Sequence, residues 1–464
     1  MKSAQLNLQN VITGLEILKE KFRHDHPGQE ALKSAREIII HRIEQEIDFE
    51  DIEELLNDLS GLLNLYWSSR DKPFRLIGFG QVHRLLANKA EDYPSILSEM
   101  ETILSRSDPG IKYFGGMRFD PSEPVSQEWE HFDCAYFFIP QIELIRENDS
   151  TKLALNYFSG QQAKKVLGNL DDLISRVTPR AESKKDLKPK LINRLDVPDY
   201  EHWNKNILAA LDSMNRDEFQ KIVLARKTIL KFSEKPDPAA LLNQLIKNSD
   251  NAFHFYFKFN NDIAFLGATP ELLFKLQDRI INSEAVAGTR PRGASAKEDE
   301  LLARELQEDE KEIREHRWVN DQVFQSLNDI CREVNILEKE SVIKLKNVQH
   351  LCSRYSGQIR NNTTMFKIIE ALHPTPAVGG YPREKTWHEI HELEGFDRGW
   401  YAGPVGWIGE DSAEMSVAIR SALMNNREIN IYAGAGIVPG SDPEKEWNEI
   451  EKKSMNFTNI LIPS

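Results

Sequence analysis

The chain is poor in cysteine, in long apolar runs and in positive charge, and each shortage removes a class of protein. Only three cysteines, Cys134, Cys331 and Cys352, occur in 464 residues. They are too few and too scattered for a disulfide framework or a metal-ligand pair, so a reducing compartment is expected. No apolar stretch approaches the roughly 18 residues that a membrane span requires. The opening MKSAQLNLQNVITGLEIL lacks the short apolar core and small-residue cleavage site of a secretory signal. A cytoplasmic protein with no membrane partner is therefore expected. Asp and Glu number 73 against 59 Lys and Arg, a net charge of −14. That balance argues against a nucleic-acid partner, because phosphate binding needs a concentrated basic stripe. A small anionic ligand is not excluded, since a few local cations suffice to hold one.

What the chain does have is a hydrophobic fraction of 40%, enough to build a real core. Short repeats and low-complexity tracts are missing. An amphipathic helix is expected over Asp51 to Leu65, and strands over Phe74 to Gly80, Tyr113 to Phe119, Asp133 to Ile145 and Leu153 to Phe158, where aromatic and β-branched residues dominate. Thr178 to Tyr200, rich in proline and basic residues, is the best linker candidate. After it come a helix (Trp203 to Met214), strands over Lys221 to Arg226, Phe253 to Phe259 and Ile263 to Leu266, and a long charged helix from Ser295, whose spacing to Glu298 fits a capping box. Strands and helices interleave without a βαβ rhythm, so the fold class is α+β.

Four segments could carry chemistry. In the strand Lys221 to Arg226, Lys221, Val223 and Ala225 share one face, with Arg226 on the other. An amine among apolar neighbours is pushed toward its neutral, basic form; a solvated lysine at a strand end is the ordinary alternative. Gly267-Ala268-Thr269-Pro270-Glu271 places a carboxylate after a small-residue turn, which suits an acid at the mouth of a cleft or an ordinary turn. Glu312 and Glu315 lie on one helical face and could hold magnesium (Mg2+), which takes oxygen ligands, or could simply face water. The densest segment is the glycine turn Gly434 to Gly440. Asp442 and Pro443 follow as N-cap and first helical residue, then Glu446, Glu449 and Lys453 form one helical stripe. Gly434 and Gly436 offer bare backbone to a ligand. Two Glu-x-x-Glu helices facing each other could grip one ion. His388-Glu389-Ile390-His391-Glu392 spaces its histidines three apart, unlike the four of a zinc helix, and is set aside.

These segments resemble the chorismate-utilising enzymes: the isochorismate, salicylate, anthranilate and aminodeoxychorismate synthases. The likeness is dense from Tyr200 onward and looser before it. It rests on Lys221-Ile222-Val223-Leu224-Ala225-Arg226, Gly267 to Glu271, Ala287-Gly288-Thr289-Arg290, Leu372 to Gly380, Gly399 to Gly406, Val417 to Ala422 and the glycine turn with Glu446-Trp447-Asn448-Glu449. Lys221 stands where water-using members carry a base lysine and ammonia-using members typically glutamine. Pro374-Thr375-Pro376-Ala377 and Trp400 to Pro404 are worded like isochorismate synthases, especially the longer ones of menaquinone synthesis. Thr289-Arg290-Pro291-Arg292 departs from them and reads more like the anthranilate synthases.

The resemblance implies large, mostly antiparallel sheets in a two-layer core flanked by helices. It also implies one domain over 1–464, with a looser part (1–195) and a catalytic part (196–464). The implied activity is magnesium-dependent conversion of chorismate to isochorismate, with no glutaminase partner. Lys221 would be the base that activates water and Glu271 the acid that protonates the leaving hydroxyl, which requires a raised pKa. Glu315 and Glu449 would ligate magnesium, with Glu312 and Glu446 beside them. Gly288, Thr289, Arg420, Gly434 and Lys453 would bind substrate, Arg420 and Lys453 through its two carboxylates. A salicylate synthase is the nearest alternative, and a non-catalytic chorismate-binding regulator is one from another class. Menaquinone and siderophore pathways both remain open.

Overall fold

The computed structural model describes residues 2–26, 37–56, 58–59, 61–70, 73–159, 161–177, 189–344 and 348–462. Two large sheets, of twelve and nine strands, dominate it. Their strands pair antiparallel throughout, for example Lys221–Phe232 with Glu428–Ile437 and Ile280–Pro291 with Val348–Ile359. Among the described residues, ten helices are distributed around them. The expected α+β class with large antiparallel sheets is what the chain forms.

Strand alternation explains how the layers stack. Leu65 and Trp67 pack into the core shared with the nine-stranded sheet, while Tyr66 between them packs into a second core. Phe255 and Phe257 against Tyr256, and Phe265 against Leu266, divide the same way. Side chains of successive strand residues point to opposite faces, so a twelve-stranded sheet buried on both sides needs apolar residues at nearly every position. The second core is closed by helices, including Lys2–Asp25 through Leu15, Leu18 and Phe22, and Pro238–Asn248 through Leu241, Leu242 and Leu245.

Both sheets draw strands from each side of residue 195. Leu65–Ser68 pairs with Phe253–Lys258, and Tyr113–Met117 with Pro404–Ile408.

Several local expectations are corrected. In place of a helix over Asp51 to Leu65 there is a single 3-10 turn, Ile52–Leu55, and Leu65 already opens a strand. The apolar positions of that stretch are satisfied by burying Ile52, Leu55, Leu56 and Leu59 in the second core without a continuous helix. Within the expected linker, residues 178–188 lie outside the described residues, but Leu191–Val197 is a strand laid along Lys227–Phe232. Its side chains are mostly exposed, as suits an edge strand. The long charged helix is two helices, Ala296–Glu308 and Glu310–Ile330, broken at Asp309, whose carboxylate caps the second by accepting from Lys311 and Glu312 N–H. Ser295 caps the first helix as expected, but the Glu298 carboxylate accepts from Ala294 N–H (2.8 Å), one residue before the capping-box partner.

Candidate active site

One cavity of about 1100 Å³, open solvent at its mouth included, is lined by all eleven residues singled out above: Lys221, Glu271, Gly288, Thr289, Glu312, Glu315, Arg420, Gly434, Glu446, Glu449 and Lys453. They come from both sheets and from the helices Glu310–Ile330 and Pro443–Leu461. Spacing alone could not show that the two Glu-x-x-Glu helices face each other. The cavity between them does.

Lys221 opens its strand, and it and Val223 point into the cavity as strand alternation requires. Lys221 is only 1% exposed, and its Nζ donates to Glu315 Oε1 at 2.8 Å. Arg226, on the opposite face, lies 4.1 Å over the Trp447 ring and 2.8 Å from Glu451. The neighbouring strand corrects the expected glycine turn: Gly434 and Gly436 lie inside the strand Glu428–Ile437, opposite Ala225 and Val223. Their smallness serves side chains as much as any ligand. A Cβ on Gly436 would meet Glu315 Oε1 at 2.9 Å and Lys221 Cε at 3.2 Å, so glycine leaves room for that ion pair. The turn comes later and is completed by Gly440 at φ +89°.

Glu271 follows the strand Ile263–Thr269. Thr269 Oγ1 accepts from the Glu271 N–H at 3.3 Å and donates to Val417 C=O at 2.7 Å, which fixes the backbone there. The carboxyl is 8% exposed, with Thr375 Oγ1 donating to it at 3.4 Å. Burial pushes its pKa up to about 7, against smaller opposing effects of Thr375 and Lys221. A carboxyl held neutral near pH 7 can donate a proton.

Gly288 sits at a bulge between Ala287 and Thr289, at φ +74°. The bulge turns Thr289 N–H toward Glu312 Oε2 (3.1 Å), and a Cβ at Gly288 would lie 3.1 Å from the same oxygen. Arg290 Nη1 also holds Glu312, at 2.9 Å, so the anthranilate-like wording at Thr289-Arg290 has a structural task here. Arg292 does likewise with Asp299, at 2.6 Å.

The carboxylates fit a hard cation by donor chemistry and by charge. Burial and the neighbouring Glu449 push the Glu446 carboxyl up to about 7, and burial and Glu315 raise that of Glu312. Like charges crowded in a half-buried site call for a positive partner. Among the described residues, no three His, Cys, Asp or Glu side chains are grouped to hold an ion unaided. Glu315 and Glu449 are meanwhile held by Lys221 and Lys453, each at 2.8 Å.

Two cations serve the other side of the cavity. Lys453 Nζ also donates to Gly434 C=O at 2.8 Å. Arg420, at φ +49°, has no protein partner for its guanidinium among the described residues, and burial lowers its pKa to about 10. A cation without a partner facing a cavity is a ready anion site.

Sequence reasoning missed His350, whose Nδ1 lies 3.0 Å from Gly288 C=O. The same Nδ1 lies 3.1 Å from Thr289 Oγ1; burial and Arg420 lower the His350 pKa to about 3, keeping the ring neutral. Tyr401, Lys311 and Val378 also line the cavity. Val378 and Val223 are fixed by a buried pair, Glu394 and Arg398: Arg398 donates to both carbonyls at 2.8 Å, and Glu394 accepts from Ala225 N–H at 2.6 Å.

Residues 28–462 match the family model described as chorismate binding enzyme. The chain belongs to the chorismate-binding enzymes. Among curated relatives of this family member, isochorismate synthase MenF of Bacillus subtilis is 31% identical over 85% of this chain and 87% of its own. The chloroplastic isochorismate synthase of Catharanthus roseus is 35% identical over 78% of this chain, and the chain spans 64% of that longer protein. The solved structure of MenF, the menaquinone-specific isochorismate synthase of Escherichia coli, superposes with a TM-score of 0.83 at 27% identity. It covers 97% of this chain and 100% of its own. The α+β architecture of this chorismate-binding enzyme is thus shared along almost its whole length.

Proposed function

We propose that this chorismate-binding enzyme is an isochorismate synthase, adding water at C2 of the chorismate ring with loss of the C4 hydroxyl and with magnesium bound. The observation that carries the reading is a buried lysine and a buried carboxyl on one cavity, Lys221 and Glu271, the carboxyl pushed up to about 7 by burial. The reaction adds water at one carbon and expels hydroxide from another, so it needs a base and a separate acid.

Lys221 Nζ takes a proton from the attacking water as its oxygen bonds to C2. Glu315, 2.8 Å from Nζ, orients the amine and stabilises the ammonium that forms. Both ring double bonds shift, C1=C2 to C1=C6 and C5=C6 to C4=C5, and the C4–O bond breaks as Glu271 delivers its proton, so the hydroxyl leaves as water. Arg420 and Lys453 bind the two substrate carboxylates, and Gly288, Thr289 and Gly434 shape the backbone wall beside them. Glu315 and Glu449, with Glu312 and Glu446 alongside, would hold magnesium, whose charge orients the ring carboxylate and screens it from the four glutamates. Menaquinone synthesis is favoured by the Pro374 to Ala377 and Trp400 to Pro404 wording, which is similar to that of menaquinone-type isochorismate synthases. Lys221, where ammonia-using members typically carry glutamine, supports an enzyme without a glutaminase. Among the described residues no helix is long and apolar enough to cross a membrane.

The test is incubation with chorismate and magnesium, without ammonia, and separation of products by liquid chromatography. Isochorismate approaching equilibrium with chorismate, and lost on adding EDTA, is expected. Salicylate with pyruvate would reassign the chain to a salicylate synthase, and turnover only with ammonia would overturn the role of Lys221.

A further inference from the structure

Continuous with the catalytic cavity is a second hollow of about 1220 Å³, open solvent included. The two share Pro270, Thr289, His350, Arg420, Glu449 and Lys453, so this hollow is the outer chamber of the same cleft. Its outer wall adds Lys445 and Lys452 from the helix Pro443–Leu461. On that helix Lys445, Glu449, Lys452 and Asn456 follow at intervals of four, three and four. They form one stripe along the chamber, with Lys453 beside it.

The outer chamber carries an excess of positive charge that the inner one lacks. The outer one carries Arg420, Lys445, Lys452 and Lys453 against Asp250 and Glu449. Glu449 is already held by Lys453 at 2.8 Å, whereas the ammonium groups of Lys445 and Lys452 have no ion-pair partner among the described residues. Counted the same way, the inner chamber sets Lys221, Lys311, Arg420 and Lys453 against Glu271, Glu312, Glu315, Glu446 and Glu449, close to balance. The whole chain carries a net charge of −14. A dicarboxylate approaching such a protein is repelled over most of its surface, so a locally cationic mouth is where its approach becomes favourable.

We propose that the outer chamber is a capture site for a dicarboxylate substrate. Lys445 and Lys452 hold the incoming dianion and pass it to Arg420 and Lys453 at the junction. They touch no reacting atom; they are positioning residues that act on capture and leave the chemical step alone. The identity of the dianion as chorismate rests on the function proposed above, while the capture itself rests on charge and shape.

The experiment measures kcat and kcat/KM for chorismate with wild type and with the Lys445→Gln/Lys452→Gln double variant, from low to high salt. A control double variant, Lys297→Gln/Lys339→Gln, removes the same charge from exposed positions outside both chambers. At an ionic strength of about 0.01 M the screening length is about 30 Å, and two charges at the mouth act on the substrate almost unscreened. The expected result is a fall in kcat/KM of about 3- to 10-fold for the chamber variant, with kcat retained and a smaller effect in the control. The deficit should close by about 0.5 M salt, where screening is nearly complete. Equal kcat/KM in wild type and chamber variant at low salt would overturn the proposal, as would a deficit matched by the control or one that persists at high salt. If the wild type does not turn over chorismate, the function fails. Calorimetric binding of chorismate to the same three proteins at both salt levels then decides capture by the same fold-changes in Kd.

Discussion

Glu271 shows how a single burial sets both chemistry and stability. Its carboxyl is held up at about 7, mainly by burial, against an ordinary value of 4.5. As the acid of the proposed reaction it must carry a proton. On the alkaline side turnover should therefore fall toward tenfold per unit above pH 7 as Glu271 loses its proton. A kcat profile flat to pH 9 would remove Glu271 from that role. The same shift acts on folding. Between pH 4.5 and about 7 the unfolded carboxyl is ionised while the folded one keeps its proton, so folding takes up a proton and stability falls as pH rises through that window. Above pH 7 the folded state carries the full cost of burying an anion. Glu271→Gln, neutral at every pH, should be more stable than wild type at pH 8 by roughly 1–3 kcal/mol and nearly equal to it at pH 4. Denaturant midpoints at the two pH values measure this. The variant should also be almost inactive, an exchange of activity for stability common at catalytic positions.

At the scale of elements, the site is two helices and three strand ends. The helices were largely legible, because Glu312 with Glu315 and Glu446 with Glu449 and Lys453 follow from helical spacing, and Asp442 caps its helix as its position before proline suggests. The strand ends were legible only in part. Alternation placed Lys221 on a face with Val223, but the bulge at Gly288 and the arrival of His350 beside it depend on pairing between strands about sixty residues apart. Local periodicity carries no record of such register. The strand Leu191–Val197 escaped for a related reason: an edge strand with exposed side chains looks like linker until its partner is known. The proposed metal role belongs to the paired helices, and Glu449 tests it. Glu449→Ala should weaken magnesium affinity by about tenfold or more, read by calorimetry on the purified protein. Lys453, released from its 2.8 Å pair with Glu449, would add a positive charge and oppose the cation further. Unchanged affinity would show that the ion is held elsewhere.

The molecule as a whole sets the last expectation. The eleven candidate site residues all come from 196–464, which invites the idea of a self-sufficient catalytic part. The sheets argue otherwise. Removing 1–195 strips Phe253–Lys258 of its partner Leu65–Ser68 and Pro404–Ile408 of its partner Tyr113–Met117, exposing two long edges in the middle of both sheets. Polar links between the two parts go with them. Arg70 bonds both oxygens of the buried Glu284 at 2.7 Å, and Trp67 Nε1 donates to the buried Glu414 at 3.1 Å. Glu284 would keep Arg354 at 3.1 Å and Glu414 the more distant Lys275 at 3.8 Å, but each loses a hydrogen bond to a charged group worth about 1.5–3 kcal/mol, a sizeable part of a domain's stability of about 5–15 kcal/mol. Trp400 in the shared core would lose Phe132, at 5.1 Å, and Tyr432 would lose Trp129, at 5.8 Å. Residues 196–464 expressed alone should therefore give no cooperative thermal transition and no sharp near-ultraviolet dichroism, while the full chain gives both. A cooperative melt of that fragment would mean that its share of the two sheets closes without the first 195 residues, and that the division seen in the wording of the sequence is a division of folding units as well.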